Sequence, residues 1–266
     1  MQAVAALPIN PVRSISLVAR GVLLETIRRQ EFYVLFILMG VYVLGMIVTM
    51  VVGIENKAVG TFLLNLGMTM AYYSAMVLTL LTAARQVPTE MENRTLYPLL
   101  GKPLGRGEYL VGKWLAAAGI GATSLAVLMA LAWIGAPRME EYDAMMLAQT
   151  MILAVLSVSM LAALALAFSL VAPQAVNVVV LGLLVVVGDA AVGFARARIA
   201  PIVGPSAAQW ITAYIPNFSI LDTVTRYTDG IGPLDGAMFV GLAAYAVVYT
   251  GLALAAGAAI FGRRSL

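Results

Sequence analysis

Charged side chains almost vanish from the long apolar stretches of this chain, so the few that remain there are the first candidates for chemistry. Asp189 ends the run Val186-Val187-Gly188-Asp189, late in an otherwise uncharged segment. A carboxylate at the centre of a bilayer costs roughly 2.5–3.5 kcal/mol on insertion scales unless it is paired or lies near the interface. Arg196 stands seven residues on, which on a helix is two turns along the same face. The two read first as a structural pair or an outer-interface position, second as the lining of a substrate path, and last as a catalytic group. Asn65, Gln149 and Asn177 are uncharged and read as hydrogen-bonding glue between helices rather than as ligands.

One catalytic reading is specific enough to weigh. Intramembrane aspartyl proteases pair a Tyr-Asp with a Gly-x-Gly-Asp, and this chain has Tyr142-Asp143 and Gly188-Asp189. The second motif lacks its first glycine, because Val186 stands there. Asp143 falls in a loop, whereas a dyad needs two carboxylates close enough to share a proton. Other chemistries are excluded by residue type. The chain has no Cys and no His. Disulfides, thiolate nucleophiles and Cys-based metal sites are therefore absent, as are the usual metal ligand and the usual neutral-pH general base. No phosphate-cradling Gly-x-x-x-x-Gly-Lys-Ser/Thr occurs, and Gly101-Lys102-Pro103 lacks both the upstream glycine and the hydroxyl residue. The chain itself is expected to be no enzyme and to hold no cofactor or metal. Work against a gradient would draw on a partner chain or an ion gradient. The shortage of buried acids argues against proton coupling, which uses relays of Asp, Glu or His.

The elements that position these residues follow from composition. Of 266 residues 62% are hydrophobic and 11% charged, and the mean hydropathy is +0.96. Soluble domains lie nearer about 45–50% apolar and 25% charged, and disorder needs low hydrophobicity. The chain therefore reads as an all-α polytopic membrane protein. A crossing helix needs about 20 apolar residues. Six such spans are expected, over residues 32–53, 59–84, 109–136, 146–170, 174–194 and 237–262. The fourth and fifth come from one long uncharged run that Pro173 divides. A re-entrant pair in their place is the weaker alternative. Residues 1–12 have no basic residue and are interrupted by Pro8 and Pro11, unlike a secretory signal. No internal repeat stands out, which weakens the case for an inverted-repeat carrier.

Eleven of the sixteen basic residues fall on one side of this arrangement, including Arg85, Arg94, Lys102, Arg106 and Lys113 between the second and third spans. The positive-inside bias puts both termini in the cytoplasm of a cell (inner, cytoplasmic) membrane. Three segments outside the spans carry information. Residues 13–29 form an amphipathic helix with Arg13, Arg20 and Arg28 on its polar face and Arg29 at its end, lying at the interface among lipids. It serves either as a plain anchor or as a partner-docking element. Residues 85–113 form the one long cytoplasmic loop. There Thr89-Glu90-Met91-Glu92 fits a capping box, so a separate short helix is expected from about 90 towards 97, followed by turn residues. Residues 195–235 carry four prolines and the aromatics Trp210, Tyr214, Phe218 and Tyr227. Short interfacial helices over 207–214 and 218–227, with aromatics at headgroup depth, are expected there.

The loop is where the chain becomes familiar. Glu90-x-Glu92-x-x-Thr95-Leu96-x-x-Leu99-Leu100-x-x-Pro103-x-x-Arg106-x-x-Tyr109-x-x-Gly112-Lys113 closely resembles the cytoplasmic loop of ABC-2 type permeases, the membrane subunits of ABC transporters. The basic helix ending in Arg28-Arg29-Gln30-Glu31-Phe32-Tyr33, the six spans, and Pro216-Asn217 ahead of the last span fit the same family. In subtype the chain is similar to the short permeases of nitrous-oxide-reductase maturation and gliding-motility systems. It departs in Arg94, where the family often has Gly before Thr-Leu, and in Pro98 within the loop.

The resemblance implies that segment 85–108 is a coupling helix between spans two and three. Leu96, Leu99 and Leu100 would be its apolar knobs, and Glu90, Glu92, Arg94 and Arg106 its charged rim, with Thr89, Thr95 and Pro103 shaping it. The implied partners are an ABC ATPase dimer, which binds ATP and Mg, a second permease chain forming a homodimer, and an extracytoplasmic protein; no nucleic acid is expected. The implied function is to couple ATP hydrolysis by the separate ATPase to export or to mechanical transmission. Two alternatives stay open: a non-transporting membrane anchor or assembly subunit, and an ion-coupled secondary carrier.

Overall fold

The computed structural model describes residues 21, 31–52, 57–92, 106–135 and 143–263. Among them the chain is helical with no strand: α1 (Glu31–Val51), α2 (Lys57–Glu92), α3 (Arg106–Gly135), α4 (Ala144–Ser169) and α5 (Gln174–Val203) come first. Then follow α6 (Pro205–Ala213), a 3-10 turn (Ser219–Leu221), α7 (Val224–Thr228) and α8 (Gly236–Arg263). Helices α2 to α5 and α8 are each long and apolar enough to cross a membrane, and α1 has a shorter apolar core, Met39–Val48. The protein is an all-α, multi-pass membrane protein.

The helix breaks follow local chemistry. Pro173 is the N-cap of α5 and Leu170 the C-cap of α4, which divides the long uncharged run at the proline. Asp143 caps α4 by accepting the Met145 amide at 2.7 Å. Gly204 turns the chain from α5 into α6 at φ 89°, a conformation that favours glycine. Helix α5 extends to Val203, beyond the expected end at 194, with Pro201 inside its last turns.

The second span differs most from expectation. Helix α2 runs 36 residues through Pro88 to Glu92. At 1.5 Å per residue it is about 54 Å long, well over the roughly 30 Å of bilayer hydrocarbon. No separate helix begins at Thr89; the capping box is not used, because Thr89 lies inside α2. The reason is burial. Ala83, Ala84 and Val87 are each 0% exposed, so the bundle holds the turn before Pro88 helical against the proline's preference.

Helix α2 packs against α3 and α4, α8 against α4 and α3, α5 against α2 and α4, and α1 against α2 and α3. Lipid tails are as apolar as leucine, so such helices associate through close packing and hydrogen bonds rather than hydrophobic burial. Both devices are present. At Gly121 of α3, a Cβ would collide with the Thr79 hydroxyl of α2 and Val158 of α4, so three helices meet where a side chain is absent. The Tyr42 ring of α1 lies over Gly67 of α2, and its hydroxyl donates to the Leu63 carbonyl at 2.6 Å. Tyr72 and Ser157 join α2 to α4 at 2.7 Å, the Trp114 indole donates to Ser159 O at 3.1 Å, and the Asn177 amide donates to Ala165 O at 2.8 Å. The large residues left exposed along α1, α5 and α8, such as Val41, Leu44, Val179, Leu183, Val240 and Leu252, are mostly apolar, whereas Asp189, Arg196 and Arg198 are exposed towards the far end of α5.

Gly121→Leu is expected to lower stability by about 1–3 kcal/mol through overpacking. Gly119→Leu, at a position with nothing within 4 Å, should leave it unchanged or slightly raised. Thermal unfolding of both variants in detergent separates the two; equal midpoints would contradict the three-helix contact.

Candidate functional site: the two polar ends of the bundle

At one end of the bundle the last turn of α2 meets the first turns of α3. The Glu90 carboxylate accepts the Tyr109 hydroxyl on one oxygen and pairs with the Lys113 ammonium on the other. Tyr109 and Lys113 are four residues apart and so share a face of α3. The Lys113 nitrogen also sits 5.5 Å from the centre of the Tyr109 ring. Lys113 is only 4% exposed, and a buried ammonium is tolerable only with a partner of opposite charge. Tyr109 stacks in turn on Phe261 of α8, with ring centres 5.8 Å apart and planes at 19°.

One polar stripe runs up α2 from this cluster. Thr79, Thr82, Gln86 and Glu90 follow each other at three- and four-residue spacing, so they share a face. Its two ends, Thr79 against Gly121 and Glu90 against Tyr109, both meet α3. Between them Thr82 and Gln86 are buried, and the Thr82 hydroxyl and both Gln86 amide atoms have no hydrogen-bond partner among the described residues.

At the opposite end the segment after α5 folds over the bundle. Gln149 of α4 donates to the Leu234 carbonyl at 3.1 Å and accepts the Leu234 amide at 2.7 Å. Thr223 donates to Thr150 at 3.1 Å, Asn65 to Thr228 at 2.7 Å, and the Trp133 indole to the Tyr227 hydroxyl at 3.0 Å. Phe218, Leu221, Val224 and Tyr227 are buried, whereas Tyr214 is exposed. The expected interfacial helix over 218–227 is instead a 3-10 turn and the short α7, packed as a plug into the bundle. Asp222 makes the break, because its side chain accepts the Val224 amide at 3.1 Å. Burial pushes the Asp222 carboxyl above the ordinary aspartate range.

Asp189 and Arg196 do not pair with each other. Seven residues of helix separate them by about 10 Å along the axis, and each finds a nearer partner. Asp189 accepts the Asn217 side-chain amide at 3.2 Å, and Arg196 donates to Thr212 at 3.3 Å. The Asn217 side-chain oxygen also accepts the Ser219 backbone amide at 2.9 Å, while the Asn217 backbone N–H donates to the Tyr245 hydroxyl at 2.8 Å. Pro216-Asn217 therefore ties α5 to α8 through the plug. Asp143 caps its own helix and lies in a different element from Asp189.

Of the loop residues, Glu90 turns inward against α3 instead of standing on an outer charged rim, since two bundle donors outcompete water for it. Thr89 is half-buried beside it. Glu92 and Arg106 mark the ends of α2 and α3. Arg94, Thr95, Leu96, Leu99, Leu100 and Pro103 lie outside the described residues, as do Arg13, Arg20, Arg28 and Arg29 of the amphipathic segment. Sequence reasoning left Tyr109, Lys113, Gln86 and Phe261 off the site. The four-residue spacing of Tyr109 and Lys113 within the loop motif was a usable signal; Phe261, one more apolar residue in an apolar last helix, carried none.

Among known proteins, the family model for ABC-2 family transporter proteins matches residues 22–266. No curated protein matches the chain. The match takes in all the long helices, the loop residues Glu90, Tyr109 and Lys113 that converge at one end, and the plug at the other. The chain belongs to the ABC-2 transporter family and is a membrane-embedded permease of an ABC transporter.

Proposed function

We infer that the chain is one of two identical permease subunits, each with six spans and both termini in the cytoplasm of the inner membrane, driven by a separate ATPase dimer that holds ATP and Mg. The observation that carries this reading is the convergence of Glu90, Tyr109 and Lys113, which roots the segment between α2 and α3 in the helix bundle. A segment so rooted passes a push from a docked ATPase to the helices as rigid-body motion. Leu96, Leu99 and Leu100 would seat in a groove of the ATPase, with Arg94 and Arg106 at its edge. The positive-inside bias supports the orientation. The exposed apolar faces of α1, α5 and α8 face lipid or the second chain. Among the described residues the exposed faces of the spans are mostly apolar, which suits an amphipathic or lipidic substrate, or force passed to an extracytoplasmic partner, better than a small anion.

Replacing Leu96, Leu99 and Leu100 together with Ser is expected to abolish co-purification of the ATPase while the chain stays in the membrane. Pull-down from solubilised native membranes reads this directly. Undiminished recovery of the ATPase would refute docking at the loop. If the ATPase binds but reconstituted complexes show no vanadate-sensitive ATP hydrolysis, the chain is an anchor. Ion-driven flux from the chain alone would make it a carrier.

A further inference from the structure

Three helix ends meet around Tyr109. The Glu90 carboxylate ties the last turn of α2 to the first turns of α3 through Tyr109 and Lys113. The Tyr109 ring then stacks on Phe261, in the last turns of α8. Tyr109 is 3% exposed and Phe261 1%, so neither ring can slip without opening the packing around it. One turn before Phe261, the place of a Cβ on Gly257 lies 3.5 Å from the Ala167 backbone, which holds the same end of α8 against α4. On the same face of α2 the Thr82 hydroxyl and the Gln86 amide are buried without hydrogen-bond partners among the described residues. Charge-assisted bonds are short and directional, and stacked rings have few good arrangements, so the set favours one geometry over a continuum.

We propose that Glu90, Tyr109, Lys113 and Phe261 are positioning residues that make the ends of α2, α3 and α8 move as one body, so that a push on the segment between α2 and α3 reaches α8 at that same end of the bundle. This rests on the reading that an ATPase docks at that segment. Without the tie, the push would move the α2–α3 pair and leave α8 behind.

The test is hydrogen exchange, read by mass spectrometry, on the full complex of the chain with its co-purified ATPase, with and without MgATP trapped by vanadate. In the native complex the end of α2, the start of α3 and the end of α8 should change protection together. Two variants break the tie in different places. Glu90→Leu with Lys113→Met removes the charges but keeps the buried volume, and Phe261→Leu removes the stack. Phe261→Leu should leave α2 and α3 responding to nucleotide while the response of α8 is lost. The charge-free pair keeps the Tyr109–Phe261 stack and should instead uncouple α2 from α3 and α8, so that the three ends no longer change together. A silent α8 end in the native complex, an α8 response that persists in Phe261→Leu, or three ends that still change together in the charge-free pair overturns the proposal. If the charge-free pair fails to assemble, Phe261→Leu and Tyr109→Phe decide the matter by the same readout. Failure of the docking reading shows separately: no ATPase then co-purifies with the native chain, and the inference falls with it.

Discussion

Neutralising Glu90 alone is expected to be among the most damaging single changes in the protein. Glu90→Gln leaves the Lys113 ammonium 4% exposed and without a counter-charge. Breaking a buried ion pair from one side typically costs about 3–5 kcal/mol, because the remaining charge stays desolvated. Glu90 is itself 22% exposed, so some water reaches the pair and the lower end of that range applies. A loss of about 3 kcal/mol corresponds to a drop of roughly 6–12 °C in the thermal midpoint for a chain of this size. Replacing both partners, as in Glu90→Leu with Lys113→Met, removes the stranded charge and should recover part of that loss, the Tyr109 hydroxyl being left without its acceptor. The measurement is a double-mutant cycle of unfolding midpoints in detergent, with Glu90→Leu and Lys113→Met as its single variants and Glu108→Gln in the first turn of α3 as the control expected to sit near the native value. Should the double variant fall as far as the sum of the singles, the pair is not coupled and the reading of the cluster is wrong.

Gln149→Leu should release the plug at the other end. Gln149 is 5% exposed, and its amide satisfies both the carbonyl and the N–H of Leu234, itself buried. Leucine fills similar space but leaves two backbone groups without partners. Each unsatisfied buried group costs about 1–3 kcal/mol, so a total near 3 kcal/mol is expected. The loss should be local, because near Leu234 the plug meets α4 through Gln149, while its other contacts, such as Asn65–Thr228, Thr223–Thr150 and Asn217–Tyr245, stay in place. Limited proteolysis of reconstituted protein should therefore show faster cleavage within residues 214–235, with the helices of the bundle still protected. Gln149→Glu provides a contrast: it keeps an acceptor for the Leu234 amide and loses the donor to the carbonyl, so its cleavage rate should fall between the two. Identical rates for all three proteins would show that Gln149 does not clamp the plug.

The two ends were legible to different degrees. Pro173 announced the division between α4 and α5, because a proline within an uncharged run has one structural meaning at that length. Asn65, Gln149 and Asn177 announced themselves as polar contacts, because an unpaired amide inside an apolar run is costly; Gln149 bonds the backbone at Leu234, which lies outside the helices. Their partners were not legible: Thr228, Leu234 and Ala165 are ordinary residues whose role comes from where the fold puts them. Asp189 illustrates the same limit from the other side. Two-turn spacing on a helix made Arg196 its natural partner, yet Asn217, which lies in another element, is the group it bonds. The capping box at Thr89 shows local chemistry losing outright. Its residues are correct for a helix start, but the packing of Ala83, Ala84 and Val87 carries α2 past it.

Composition, apolar run length and the placement of Lys and Arg follow rules that act on neighbours in the chain. That is why the membrane class, the long helices and the loop motif could be read directly from the residues. Convergence obeys no such rule. Glu90, Tyr109, Lys113 and Phe261 form one cluster although Phe261 comes from the last helix, and the plug residues meet α2, α3 and α4 from far along the chain. Within a membrane, helices gain little from hiding apolar surface, so their arrangement is chosen by a few close contacts at glycine and by a few polar pairs. Those contacts exist only once the helices are assembled, and the assembly therefore determined which of the rare charged residues became the site.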